Sequence, residues 1–183
     1  MRGLTIILAV MTAFSVSVFA QSNKKSGDYQ MVDLIANKVV TVEGSLKNGK
    51  LMSDLGWASR SSTACFPSTQ NAKFNGNHVL FVTQMPARSI LKVTVKPKNS
   101  NANLSIYGYQ LAVGDVVLPL NLQSCVTCEA EHKWDYPKRG KTQDDSRIIS
   151  LNTVGVGYSV IIGVAGANGL TDADFTLEFS LEK

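Results

Sequence analysis

The segment Asp174–Glu182, DFTLEFSLE, alternates apolar and polar side chains along its whole length. One set of alternate positions is entirely apolar: Phe175, Leu177, Phe179 and Leu181. Because successive side chains of a β-strand point to opposite faces, this period of two predicts a strand with one buried face. Residues 90–96, ILKVTVK, repeat the pattern with three aliphatic side chains on one face.

Other segments extend the same prediction along the chain. VVTVEGSL and NLSIYGY alternate, RIISL is a shorter candidate, and HVLFVT and YSVIIGV are apolar on both faces, which indicates central strands. Turn residues such as Asn48-Gly49 separate them, whereas residues 47–77 are weakly patterned and predict a long connection or an irregular edge. Seven or eight short strands of this kind predict an all-β fold, an antiparallel β-sandwich or jelly roll.

The N-terminal 20 residues predict a secretory signal peptide. A positive charge at Arg2 precedes apolar runs, and Val18 and Ala20 are small residues placed for cleavage. We therefore expect cleavage near Ala20, a secreted or periplasmic protein without a transmembrane anchor, and a single β-sandwich domain over residues 21–183. The formal net charge of +4 is spread along the chain without a basic run, so a nucleic-acid partner is not expected.

The order of motifs after residue 77 resembles a known family. HVLFVTQMPARSILKVTVKP, then NANLSIYGY, then YSVIIGVAGANGLTDADFTLEFS follow one another as in the bacterial pre-peptidase C-terminal domain. This resemblance covers residues 77–181 and implies a small jelly-roll-like β-sandwich of the kind appended to exported enzymes. The family's acidic pair is replaced by Asn101 and Asn103, so the resemblance does not carry a calcium role to that turn.

A charged stretch at residues 124–147 contains two of the three cysteines, Cys125 and Cys128, and the third is Cys65. Cysteines of exported proteins normally form disulfides. We expect Cys65 to pair with Cys125 or, as the second choice, with Cys128, which would hold two poorly patterned segments together. A bond between Cys125 and Cys128 is the local alternative.

Two metal sites are conceivable from the residue types. Cys65, Cys125, Cys128 and His132 form a Cys₃His set that suits tetrahedral zinc. Asn168, Asp172 and Asp174 offer oxygen ligands to calcium, although an ordinary polar hairpin turn explains them as well. We expect neither site, and no cofactor. A thioredoxin-like role is not supported, because no helix is predicted after Cys128.

Binding is favoured over catalysis. The chain lacks G-x-S-x-G, H-E-x-x-H and P-loop motifs, and acids and bases occur in equal number in the charged stretch, so no catalytic carboxylate pair stands out. His78 begins a predicted strand and is interpreted as structural. We predict a non-enzymatic accessory or binding module whose partner is an unidentified extracellular or cell-surface protein or glycan.

The alternative is a carbohydrate-binding module that stacks aromatic rings on sugars. Its candidate residues are Tyr107 and Tyr109, which share the strand face opposite Leu104 and Ile106, and the loop residues Trp57, Trp134 and Tyr136.

Overall fold

The computed structural model describes residues 25–59, 65, 68–122, 127–130, 139 and 145–183. The predicted signal peptide and most of the charged stretch lie outside these residues. Within them the chain forms eleven strands: β1 Lys25–Ser26, β2 Tyr29–Met31, β3 Val39–Ser45, β4 Lys50–Leu51, β5 Asn77–Met85, β6 Ser89–Pro97, β7 Leu104–Leu111, β8 Thr127–Glu129, β9 Arg147–Thr153, β10 Tyr158–Gly166 and β11 Asp174–Glu182.

The strands form two sheets that pack as a sandwich. The large sheet has the order β1-β2-β5-β10-β7-β8, with β4 also pairing with β5, and the small sheet has the order β3-β11-β6-β9. Adjacent strands are antiparallel except β2 and β5. The predicted β-sandwich is confirmed. Its seven long strands coincide with the predicted ones, and the four strands of two or three residues were not anticipated.

The main core fills the space between the sheets. The alternating residues of β6 and β11 are buried on the inner face as their period of two predicted, with Leu91, Val93 and Val95 inaccessible to solvent. Phe81 of the large sheet meets Phe175 of the small sheet edge to face, with ring centroids 6.2 Å apart. Each such side chain contributes about 1.5–3 kcal/mol when fully buried, so this layer is the main source of stability.

The outer face of the large sheet is covered too. A second group of buried apolar residues, here called the outer cluster, joins that face to the connection before β5 and to the segments that flank β8. It consists of Trp57, Ala58, Phe74, Leu80, Val82, Tyr107, Tyr109, Leu122, Ala130, Ile161 and Ala165. As a result the central strand β10 is buried on both faces, as its continuous apolar sequence predicted.

Helical structure is slight in the described part of the chain. It comprises the four-residue helix α1, Gly56–Ser59, and two 3₁₀ turns, Leu46–Asn48 and Ser68–Lys73. None of these segments has the length or the apolar run needed to span a bilayer. They belong to the weakly patterned connection between β3 and β5, which adds the short edge strand β4 to the large sheet and covers part of its outer face with Trp57, Ala58 and Phe74.

Candidate functional site

A pocket of about 590 Å³ is lined by the last residues of β3, in the small sheet, and by the first residues of β5, in the large sheet. One wall is the end of β3, residues 43–45. The opposite wall is β5 at Val79 and Leu80, together with β2 and β4, which pair with β5 above and below that point. Residues 118–121 close a third side. This edge pocket is therefore built from five stretches of the chain.

Apolar side chains form much of the edge pocket. Leu51 and Leu120 are exposed at its mouth, and Leu80 is buried in its wall. Ser45 contributes a hydroxyl oxygen that is buried and has no hydrogen-bond partner within the described part of the chain. An apolar pocket with a few fixed polar groups is the usual form of a site for an organic ligand.

The charges around the edge pocket are matched in pairs. Lys50 Nζ lies 2.8 Å from the Asp28 carboxylate across the pocket rim. Glu43 accepts from Lys98 at 2.7 Å, and the hydrogen bond and charge of Glu43 raise the pKa of Lys98. These ion pairs are solvent-exposed and contribute little to stability. Their effect is that the pocket offers no unmatched charge among its described residues.

The shape of the edge pocket depends on a close crossing at Gly49. A Cβ at this position would overlap the backbone carbonyl of His78, so only glycine lets the chain pass so near to β5. The crossing places Lys50 opposite His78 and Leu51 opposite Asn77. The Asn48-Gly49 turn predicted from sequence is therefore what brings β4 to the pocket.

His78 lies at the back of the edge pocket and is 4% exposed. Its Nε2 is 2.6 Å from the Phe74 carbonyl, which can only accept, so Nε2 donates. Nδ1 of the neutral ring then accepts from the Tyr107 hydroxyl at 3.0 Å. Burial lowers the pKa of His78 from 6.5 to about 4, opposed in part by the Phe74 hydrogen bond. The structure confirms that His78 is structural: it is neutral and joins β5 to the outer cluster.

The tyrosines proposed as exposed stacking residues are buried. Tyr107 is 0% and Tyr109 3% exposed, and Trp57 packs against both, with ring centroids 5.7 and 5.4 Å away. The predicted face was right, because Leu104 and Ile106 belong to the main core on the other side of β7. The predicted exposure was wrong, because the connection before β5 covers that face.

The remaining aromatic candidates, Trp134 and Tyr136, lie outside the described residues. Trp57 itself is 3% exposed and belongs to the outer cluster. Trp57, Tyr107 and Tyr109 are therefore packed inside the protein and are not exposed for stacking on a sugar.

A disulfide joins Cys65 to Cys128, with the Cα atoms 5.5 Å apart. The expectation that Cys65 holds the weakly patterned connection against the charged stretch is confirmed, but the partner is the second choice and not Cys125. The reason is β8: it pairs with β7 so that Cys128 lies opposite Tyr107, beside the outer cluster that Cys65 also touches. Cys125 lies outside the described residues.

The disulfide also bears on the zinc alternative. It oxidises two of the four proposed ligands, Cys65 and Cys128, which therefore cannot bind a metal as thiolates; His132 is outside the described residues. Of the three residues proposed as calcium ligands, Asp172 forms an ion pair with Lys47, with its Oδ2 3.1 Å from Lys47 Nζ. Within the described residues no group of three or more His, Cys, Asp or Glu side chains is arranged to hold a metal.

The sequence did not reveal the edge pocket. Its walls come from the β1–β2 turn, the end of β3, β4, the beginning of β5 and residues 118–121, and none of these carries a recognisable binding motif. The available signals were indirect: the Asn48-Gly49 turn, and the apolar residues Leu51 and Leu120 within polar loops.

Comparison with solved structures finds two similar folds among its matches. One is the pre-peptidase C-terminal domain of a collagenase from Bacillus anthracis, with 12% identity, 87% of this chain and 99% of that chain covered, and a TM-score of 0.39. Another is Aeromonas hydrophila PliG, a periplasmic lysozyme inhibitor of g-type lysozyme, with 11% identity, 82% and 95% coverage and a TM-score of 0.42. The first represents the family that the order of motifs resembles. No protein-family model matches the chain, and no curated protein matches its sequence.

Proposed function

We propose that this protein is an exported, non-enzymatic binding module and that the edge pocket is its binding site. The observation that carries the proposal is the edge pocket itself, at about 590 Å³ large enough for a small organic group or part of a peptide. Apolar side chains form much of its wall, its charges are matched in pairs, and the buried Ser45 hydroxyl has no hydrogen-bond partner among the residues that the structure describes. These features suit recognition of a largely uncharged ligand.

Export is supported by two features. The N-terminal 20 residues have the pattern of a signal peptide, and Cys65 and Cys128 form a disulfide of the kind that persists in oxidising compartments. A binding role is favoured over an enzymatic one because His78, the titratable group at the back of the edge pocket, is occupied by two hydrogen bonds. Its lowered pKa keeps it neutral, so its hydrogen-bonding positions already serve the fold.

The test is a fluorescence titration with anilinonaphthalene sulfonate, an amphipathic probe that brightens in apolar pockets. We expect a single saturable site in the mature protein. Gly27 lines the edge pocket, and a Cβ there meets no atom within 4 Å, so Gly27→Trp adds an indole at the pocket without a clash of its Cβ. This variant should lose the signal while keeping its melting temperature.

The matched control is Gly155→Trp. Gly155 also has open space around its Cβ, but it lies in the β9–β10 turn and does not line the edge pocket. Retained binding in this variant together with loss in Gly27→Trp supports the proposed site. Loss in Gly155→Trp alone would move the site to that turn, where Val154 and Val156 are exposed, and would contradict the proposal.

A further inference from the structure

The small sheet ends at β3 on the side of the edge pocket, as far as the described strands go. The register with β11 shows which backbone groups of β3 face outward. Leu46 N–H donates to Ala173 at 2.9 Å and Ser45 lies opposite Asp174, so Gly44 and alternate residues before it bond to β11. The intervening residues Thr41, Glu43 and Ser45 direct their N–H and C=O groups away from β11. A terminal strand of this kind is a template for another strand.

A strand added to β3 would direct alternate side chains toward the large sheet. Beside Gly44 that direction leads into the edge pocket, because residues 43–45 form its wall and the lining also includes Leu51 and Val79, which packs against the main core between the sheets. An apolar side chain on the added strand would meet Val79 and Leu51. Its two neighbours on the strand would exchange backbone hydrogen bonds with β3 and point their side chains to solvent.

The charges at this edge favour a neutral backbone as the ligand. Glu43 is paired with Lys98, Asp28 with Lys50, and Lys47 with Asp172, at 2.7, 2.8 and 3.1 Å. With these acids and bases matched, the outward N–H and C=O groups of β3 form a row of neutral polar groups that can complement a ligand along the edge. Alternating donors and acceptors of this spacing fit an extended polypeptide.

Resting on the proposed function, we propose that the edge pocket and β3 together bind an extended segment of another polypeptide by strand addition. Main-chain hydrogen bonds to Glu43 and Ser45, on either side of Gly44, hold the segment in an antiparallel direction. One apolar side chain enters the edge pocket and sets the specificity.

The test uses the capped pentapeptide acetyl-Ser-Thr-Leu-Thr-Ser-amide and ¹⁵N–¹H spectra of the mature protein. We expect saturable shifts at Glu43, Ser45 and Leu51. In strand addition the two threonine nitrogens of the probe face β3, and the leucine nitrogen faces away. Methylation of both threonine nitrogens should therefore weaken binding by about tenfold or more, whereas methylation of the leucine nitrogen should have little effect.

A pair of protein variants tests the same backbone hydrogen bonds by changing β3 instead of the probe. Glu43→Pro removes an N–H that faces away from β11, a position where an edge strand tolerates proline. Glu43→Ala removes the same carboxylate but keeps the N–H. We expect Glu43→Pro to lose about tenfold or more in affinity for the pentapeptide relative to Glu43→Ala. Equal melting temperatures of the two variants show that the fold is retained.

The outcomes separate the two proposals. Equal affinity of both variants, or of both methylated probes, overturns strand addition while leaving the edge pocket as the binding site. Binding of anilinonaphthalene sulfonate without any binding of the pentapeptide also overturns strand addition and leaves the edge pocket as the binding site. Shifts confined to Ile90 and Ile148, which are exposed on the outer face of the small sheet, would contradict both the strand addition and its location.

Discussion

At the scale of single residues, His78 links protonation to folding. The neutral ring donates to Phe74 and accepts from Tyr107 inside the protein, and its pKa is lowered from 6.5 to about 4. Between these two pH values the unfolded chain binds a proton at this residue and the folded chain does not. The contribution of His78 to stability is therefore complete above pH 6.5, and it declines as the pH falls toward 4.

We predict that this decline amounts to about 3 kcal/mol in the free energy of unfolding, since one pKa unit corresponds to about 1.4 kcal/mol. Urea unfolding of the wild type and of His78→Gln between pH 7 and 4 measures it. The variant keeps every other titratable group, so the difference between the two curves isolates His78. Parallel curves over this range would refute the assignment of a buried neutral ring.

Tyr107 shows what a strand pattern determines for a single residue and what it leaves open. Alternation along β7 correctly placed its ring opposite Ile106. It gave no information on what lies over the ring, because the covering residues Trp57 and Phe74 are distant in sequence. A local sign was present in the neighbouring strand: the ring occupies the space that a Cβ of Gly163 would take. The sequence alone does not show that β7 pairs with β10, so it does not show why position 163 requires a glycine.

At the scale of elements, the long strands were predictable and the short ones were not. A period of two is visible over the seven to nine residues of β3, β6 or β11, but not over two or three residues. The strands β1, β2, β4 and β8 are short, and they form because long strands or loops bring them to an edge of the large sheet. Three of them, β1, β2 and β4, border the edge pocket or the turn beside it, which is why the pocket was not foreseen.

The disulfide between Cys65 and Cys128 ties one of these short strands, β8, to the connection before β5. Closing a loop with a sequence separation of 63 residues stabilises the folded protein by about 4 kcal/mol in the chain-entropy model. We expect Cys65→Ser to lose most of this amount in chemical unfolding. Cys125→Ser, which leaves the bond intact, is the control and should unfold like the wild type.

Peptide mapping under non-reducing conditions checks the pairing directly. The expected product is a cross-linked peptide that contains Cys65 and Cys128, with Cys125 in its own unlinked peptide. A link from Cys65 to Cys125 would contradict the structure and would restore the first choice of the sequence analysis.

At the scale of the molecule, the described residues form three layers: the small sheet, the large sheet and the covering connection. The main core lies between the first two, and the outer cluster lies between the second and third. The two sheets pack against each other through the apolar faces of long alternating strands. The covering connection is held by the smaller outer cluster and by the disulfide. We therefore predict that the third layer opens at a lower free energy than the sandwich.

Hydrogen exchange followed by NMR tests this order. Amides of the central strand β10 should exchange only on global unfolding, because both of its neighbours pair along its length. The amide of Ala58, bonded to Leu55 at 3.3 Å, should exchange faster, and Cys65→Ser should accelerate it further without affecting β10. Equal acceleration of both amides in this variant would mean that the three layers unfold as one unit.

The bond between Cys65 and Cys128 has a further consequence for proteolytic cleavage of the chain. The chain between these two residues includes β5 and β7 of the large sheet and β6 of the small sheet. Hydrolysis of any single peptide bond in this interval leaves two fragments that remain covalently joined. A nicked molecule would thus migrate as one species until a reductant separates its halves, and paired strands on either side of the cut would keep it assembled in the meantime.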